Sequence, residues 1–235
     1  MITVLVPTWH RPHRIPPLVA NIHAATRTGA QVVVIAEDDD SPALALAEGG
    51  LDGATLAINT RKRNFAGALN TGYAYATGDY VFTGSDDLWF SPGWDEAALA
   101  VFAADPALRV VGTNDLGNPG VLAGLTSTSH LIDRRYIDEV GAVAGQPPGM
   151  VVCEDYGHEY TDTELVATAK ARGVFAPCLA SIVEHRHTIF GKAPWDETYA
   201  RTRAASAGDG AIFESRRHLW ENLPLPRFET VSRNP

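Results

Sequence analysis

Cysteine is scarce in this chain, with only Cys153 and Cys178 among 235 residues. Two thiols cannot staple a framework, so a disulfide scaffold is excluded and a reduced, cytoplasmic setting is expected. Positive charge is scarce as well. There are 19 Lys and Arg against 28 Asp and Glu, a formal charge of −9, and the longest basic clusters are Arg61-Lys62-Arg63 and Arg134-Arg135. Without a basic stripe to track a phosphate backbone, duplex nucleic acid is not an expected partner. No apolar run approaches the roughly 20 residues that a membrane-spanning helix needs. The chain passes from Met1 straight into an apolar run, without the basic lead and cleavage site of a signal peptide. Internal repeats and low-complexity linkers are missing too. Residues 1–221 are therefore expected to form one domain, followed by a loosely attached tail at 222–235. The balance that remains, 45% hydrophobic and 20% charged, is that of an ordinary globular protein.

The apolar runs that are present alternate with helical patterns. Ile2 to Val6 reads as a buried strand, and Ile15, Leu18, Val19 and Ile22 mark a helix with prolines at its first turn. Gln31 to Ala36 is a second strand, ending in Glu37-Asp38-Asp39-Asp40; Ser41-Pro42 opens a short helix, and Ala54 to Ile58 is a third strand. From Asn64 to Ala76, apolar residues recur at three- and four-residue steps, and Gly78 reads as the stop signal of that helix. Asp79 to Thr83 is a fourth strand. Strands alternating with helices predict an α/β fold with a mainly parallel central sheet flanked by helices. Asp95 to Ala104 continues as helix and Arg109 to Thr113 as strand. Beyond residue 114 the rhythm weakens. Leu125 to Ile132 is strand-like, Asp133 to Val140 a short helix, and 145–157 a long loop. Thr161 to Arg172 is a helix whose Thr161 and Glu164 form a capping-box pattern. A strand within Val174 to Val183 leads to Glu184-His185-Arg186-His187, and two closing helices are expected at Asp196–Ala205 and Asp209–Trp220.

The fourth strand runs directly into Gly84-Ser85-Asp86-Asp87. Adjacent carboxylates at the end of an apolar strand repel each other and resist burial, a conflict that a cation relieves. The carboxyl ends of strands are also where open α/β sheets bind ligands. Asp87, with Asp86 behind it, offers hard oxygen ligands for Mg²⁺ or Mn²⁺, and an imidazole from His185 or His187 would favour Mn²⁺. The plain alternative is an Asp-rich turn that caps the next segment.

Phe65-Ala66-Gly67-Ala68-Leu69-Asn70-Thr71-Gly72, then Gly78-Asp79-Tyr80-Val81, Ser85-Asp86-Asp87 and Pro92-Gly93-Trp94 form one ordered block. This block resembles the family 2 glycosyltransferases of the GT-A (nucleotide-diphospho-sugar transferase) fold. Weaker likenesses are Ile2 to Arg11, the acids after the second strand, Asp162-Thr163-Glu164-Leu165 with Gly173 beyond, and His185-Arg186-His187. The pattern is departed from in three places: Ser85 replaces the first motif acid, Lys62 and Asn64 stand before Phe65, and Thr161 precedes Asp162 where Glu is common.

The resemblance implies a glycosyltransferase that takes a UDP-, GDP- or dTDP-linked sugar. The nucleotide-binding half would be about 1–113 and the acceptor half about 114–221. It places Pro7, Thr8, Arg11, Asp38, Asp39, Arg63, Asn70 and Asp86 at the nucleotide, with Asp38 and Asp39 on the base or ribose; Lys62 and Arg63 could draw the diphosphate, although basic residues before a helix are usually surface. Asp87, His185 and His187 would hold the metal, and Asp162 would take the acceptor's proton in an inverting displacement. A solvated acidic loop accounts equally for Asp38 and Asp39. The helix dipole favours an acid at position 162 in any protein. Glu154 and Asp155 are the alternatives for the base. Trp89, Trp94, Trp195 and Trp220 could stack on a sugar, although core packing is the commoner fate. The acceptor (protein, glycan, lipid or small molecule) and the oligomeric state are not legible.

Two rival classes remain. A sugar-nucleotide nucleotidyltransferase would carry a glycine-rich loop after the first strand, and Pro7 to Arg14 has no glycine. A non-catalytic binding or scaffold protein of the same fold stays open because of Ser85.

Overall fold

The structure, a computed structural model, describes residues 1–48, 50–221 and 223. The tail expected at 222–235 lies outside these residues, apart from Leu223. The amino-terminal half follows the strand–helix alternation: β1 (Ile2–Pro7), α1 (Ile15–Ala25), β2 (Ala30–Ala36), α2 (Ser41–Glu48), β3 (Ala54–Ile58), α3 (Phe65–Tyr73) and β4 (Tyr80–Thr83). Next come β5 (Leu88–Phe90), α4 (Trp94–Ala104), β6 (Val110–Asn114), α5 (Pro119–Leu122), β7 (His130–Asp133) and α6 (Arg134–Val140). The chain closes with α7 (Thr161–Ala171), β8 (Phe175–His185), α8 (Glu197–Arg216) and α9 (His218–Glu221).

The eight strands lie in the order β3-β2-β1-β4-β7-β6-β8-β5. Strands β3, β2, β1 and β4 are mutually parallel, β7 runs antiparallel between β4 and β6, and β6 pairs parallel with β8. The strand order turns back at β1, which has β2 on one side and β4 on the other. Such a switch point opens a crevice at the carboxyl ends of the strands.

Alternation along the strands divides the core in two. Leu5, Val33, Ile35 and Val81 join the α3, α6 and α7 side. Val4, Val6, Val32, Val34 and Phe82 join the side covered by α1 and α4. Trp94 packs edge-on against Phe82 and Phe90 at 4.8 and 5.0 Å, as a core aromatic. Among the described residues no helix is long and apolar enough to cross a membrane.

Several local expectations give way. The helix expected to reach Ala76 ends at Tyr73, and Gly78 is not its stop. A Cβ on Gly78 would lie 2.7 Å from the Thr3 amide nitrogen, so close strand packing requires the glycine. The strand expected from Leu125 occupies only His130–Asp133. The two closing helices are one continuous helix, Glu197–Arg216, despite Gly208 and Gly210. Thr161 and Glu164 form no capping box. The residue before α7 is Tyr160, with φ of 64°, Thr161 donates to the His158 carbonyl, and Glu164 is fully buried in an ion pair with Arg216.

Candidate active site

The carboxyl ends of β1, β2 and β4 open into a cleft of about 460 Å³ that is closed on its far side by the β8 terminus, the loop before α7 and the start of α8. Gly84 begins the acidic turn because its amide bonds to the Leu5 carbonyl, and a Cβ there would lie 2.5 Å from that oxygen. The turn then places two buried carboxylates side by side.

Asp86 is held from β1. Thr8 Oγ1 donates to its Oδ2 at 2.9 Å, and the Arg11 guanidinium donates to its Oδ1 at 2.8 Å. Arg11 is itself 3% exposed and forks onto both oxygens of Asp196, the residue that caps the start of α8. Burial and the neighbouring Asp87 push the Asp86 carboxyl up to about 6. Arg11 also lies over the Tyr199 ring at 4.1 Å.

Asp87 is held from the opposite side. β5 pairs antiparallel with β8, with Leu88 opposite His185, and this register brings His185 alongside the aspartate. His185 Nε2 lies 3.3 Å from Asp87 Oδ1, Ser85 Oγ donates to the same oxygen at 2.6 Å, and Tyr199 donates to Oδ2 at 3.0 Å. Burial opposes the Asp87 charge, but His185, Ser85 and Arg11 together hold its carboxyl well below the usual range. Burial likewise opposes a charged His185, and Asp87 outweighs it, raising the imidazole.

His187 completes the group: ligand atoms of Asp87, His185 and His187 all lie within 4.8 Å of one another. The Ile189 amide donates to His187 Nδ1, leaving Nε2 as the remaining ligand atom. One carboxylate and two imidazoles form a donor set suited to Mn²⁺ and its neighbours in the divalent series.

Asp162 lies in the same cleft, in the first turn of α7. Burial raises its carboxyl above the ordinary value, against the bonds it accepts from Thr163. Glu159, also lining the cleft, is raised by burial as well.

Other expected residues fall elsewhere. Pro7, Thr8, Arg11 and Asp86 line the cleft, but Asp38, Asp39, Arg63 and Asn70 do not. Asp38 and Asp39 are 67% and 64% exposed, and both pair with Arg63. Glu37, one residue earlier, is the acid of this run that lines the cleft, while the buried Asp40 is committed to the His10 and Ala43 amides. Glu37 is 5% exposed, accepts from Asn59 through Oε1, and buries Oε2 without a hydrogen bond, 4.0 Å from Arg63 Nε. Asn70 fails to reach the cleft because its amide is committed to the 151–154 segment. It donates to the Val152 carbonyl and Glu154, and accepts from the Val151 and Val152 amides.

Glu154 pairs with Arg61 and Asp155 with Lys62, so neither alternative base lines the cleft. Of the tryptophans, Trp94 and Trp220 are buried, Trp89 lies under Arg186, and Trp195 is exposed. Trp9, which does line the cleft, lies beneath Arg201. Tyr199, Asp196 and Glu37 carried no motif, and only the run of acids after β2 hinted at the last.

A sequence search of curated proteins finds no match. The structure superposes on a mannosyltransferase from Pyrobaculum calidifontis in complex with GDP-Man and Mn²⁺, with a TM-score of 0.63, 20% identity and 96% of this chain covered. The chain spans 65% of that protein's length. It also superposes on glucosyl-3-phosphoglycerate synthase from Mycobacterium tuberculosis, in complex with Mn²⁺, UDP and glucosyl-3-phosphoglycerate. That match has a TM-score of 0.63 and 15% identity, and covers 97% of this chain and 81% of the other. At such identities the likeness establishes the shared GT-A fold: a mixed α/β, eight-stranded sheet with flanking helices. The sequence profile of glycosyl transferase family 2 matches residues 3–141, more than half of the chain, and the protein belongs to that family.

Proposed function

We propose that the chain transfers a glycosyl group from a nucleotide-sugar donor to an acceptor hydroxyl, by inverting displacement and with a divalent cation. The observation that carries this reading is the convergence of Asp87, His185 and His187 within 4.8 Å, in a cleft that also holds Asp162. A divalent ion held by those three residues would neutralise charge on a departing diphosphate. The family and the two similar structures, one with GDP-Man and Mn²⁺ and one with UDP and Mn²⁺, support the donor class.

In the proposed division of labour, residues 1–113 bind the nucleotide and the later segments receive the acceptor. Asp162 accepts the acceptor's hydroxyl proton as that oxygen bonds to the anomeric carbon. The carbon–phosphate-oxygen bond breaks, and the electron pair leaves with the nucleoside diphosphate. Burial raises the proton affinity of Asp162, which suits a general base. Ser85 in place of an acid removes a charge, but its hydroxyl orients the Asp87 oxygen beside His185. The inward-facing Glu37, with an unbonded oxygen, is suited to an N–H of the base.

Calorimetry with UDP, GDP and dTDP, with and without Mn²⁺, tests the reading. Binding is expected to require the cation, and Asp87→Asn is expected to abolish it. Cation-independent binding that survives Asp87→Asn would overturn the metal assignment, and no nucleotide binding at all would favour a scaffold.

A further inference from the structure

Helix α8 lies outside the segment that matches the family, yet it grips the loop that leads into the candidate base at the start of α7. Its Asp209 is 3% exposed and accepts three consecutive backbone amides. Gly157 donates to Oδ1 at 2.6 Å, and His158 and Glu159 donate to Oδ2 at 2.9 Å each. One turn further along the same face, Phe213 stacks on Tyr160 at 5.0 Å, against a residue held in the left-handed region at φ 64°. Another turn on, Arg216 forks onto the buried Glu164. The Gly157 carbonyl, facing the other way, accepts from the Phe65 amide at the start of α3. Asp162 sits between the amides fixed by Asp209 and the carboxylate fixed by Arg216.

We propose that Asp209 is a positioning residue for glycosyl transfer, its carboxylate fixing the 157–160 turn so that Asp162 and Glu159 face the acceptor. The inference rests on the reading of Asp162 as the base. A carboxylate is the side chain suited to this place, since only two acceptor oxygens can take three converging N–H donors. An asparagine presents one oxygen and turns an NH₂ group toward an N–H. Asp209 is itself neither in the metal cluster nor in the cleft lining, and it meets the lining through the backbone amides of His158 and Glu159, so its effect must pass through the loop.

The test is Asp209→Asn, read by amide hydrogen exchange and by kinetics. Exchange at 157–162 is expected to quicken while the strands stay protected. The kcat is expected to fall on the order of 10²-fold, as for a misplaced reacting group, with donor KM and Mn²⁺-dependent nucleoside diphosphate affinity unchanged. Unchanged exchange at 157–162 or unchanged kcat would overturn the role, as would nucleotide affinity falling in step with kcat. Should Asp209→Asn fail to fold, Phe213→Leu, which loosens the same turn through Tyr160, must show the same split. A wild-type chain that turns over no nucleotide sugar would defeat the glycosyl-transfer reading instead, and the exchange measurement reports on the loop independently of that result.

Discussion

Tyr199 donates its hydroxyl to Asp87 Oδ2 at 3.0 Å, while its ring lies 4.1 Å beneath the Arg11 guanidinium. One side chain from α8 therefore touches both the carboxylate assigned to the metal and the arginine that holds Asp86. Its hydroxyl and ring can be separated by mutation. Tyr199→Phe keeps the stack and deletes the bond, so stability should hold while Mn²⁺ affinity falls roughly tenfold, as for other partners that orient a ligand. Calorimetric titration of Mn²⁺ into both proteins checks this.

Asp162→Asn should lower kcat by about 10² to 10⁴-fold and leave nucleoside diphosphate affinity intact. Because burial raises the Asp162 carboxyl, the rising limb of the wild-type pH–rate profile should lie above the ordinary carboxylate range. A profile with no such limb would point to another base.

Gly84→Ala places a methyl 2.5 Å from the Leu5 carbonyl oxygen, and the backbone has to move. A loss of about 1–3 kcal/mol in urea unfolding is expected. Because Asp86 and Asp87 follow directly, Mn²⁺-dependent nucleotide binding should weaken as well.

His130 is 1% exposed, and burial lowers its imidazole from 6.5 to about 4. Its Nε2 donates to the Ser127 carbonyl at 3.1 Å and its Nδ1 faces Thr83 Oγ1 at 3.2 Å, an arrangement for the neutral ring. The unfolded chain takes up a proton near 6.5 that the folded chain refuses until about 4, so stability should decline as pH falls through that window and be flat above it with respect to this group. Urea midpoints across the window test this, and His130→Asn should flatten that part of the slope.

The parallel half was legible because a strand buried on both faces is written as an uninterrupted apolar run, as in Ile2 to Val6 and Val32 to Ala36. β5 was not, since a three-residue strand such as Leu88–Phe90 carries no period and exists by pairing with β8. The unbroken α8 was not legible: Gly208 and Gly210 are poor helix formers, whereas tertiary bonds at Asp209 hold the helix through them. At the site, chemistry at a strand's end marked Asp87, and the imidazoles that converge on it were visible as a short His-rich run. Which of the four consecutive acids after β2 turn inward depends on strand pleat and neighbours: Glu37 and Asp40 are buried, whereas Asp38 and Asp39 are exposed.

The pairing of β5 with the end of β8 sets an order on assembly. A nascent chain could lay β1, β2, β3 and β4 side by side while its carboxy-terminal third was still being synthesised, and the acidic turn would stand there without imidazole, phenol or clamp. The cleft is finished late, by β8 and the start of α8, so a product halted before α8 could be well folded in its first half and still chemically silent.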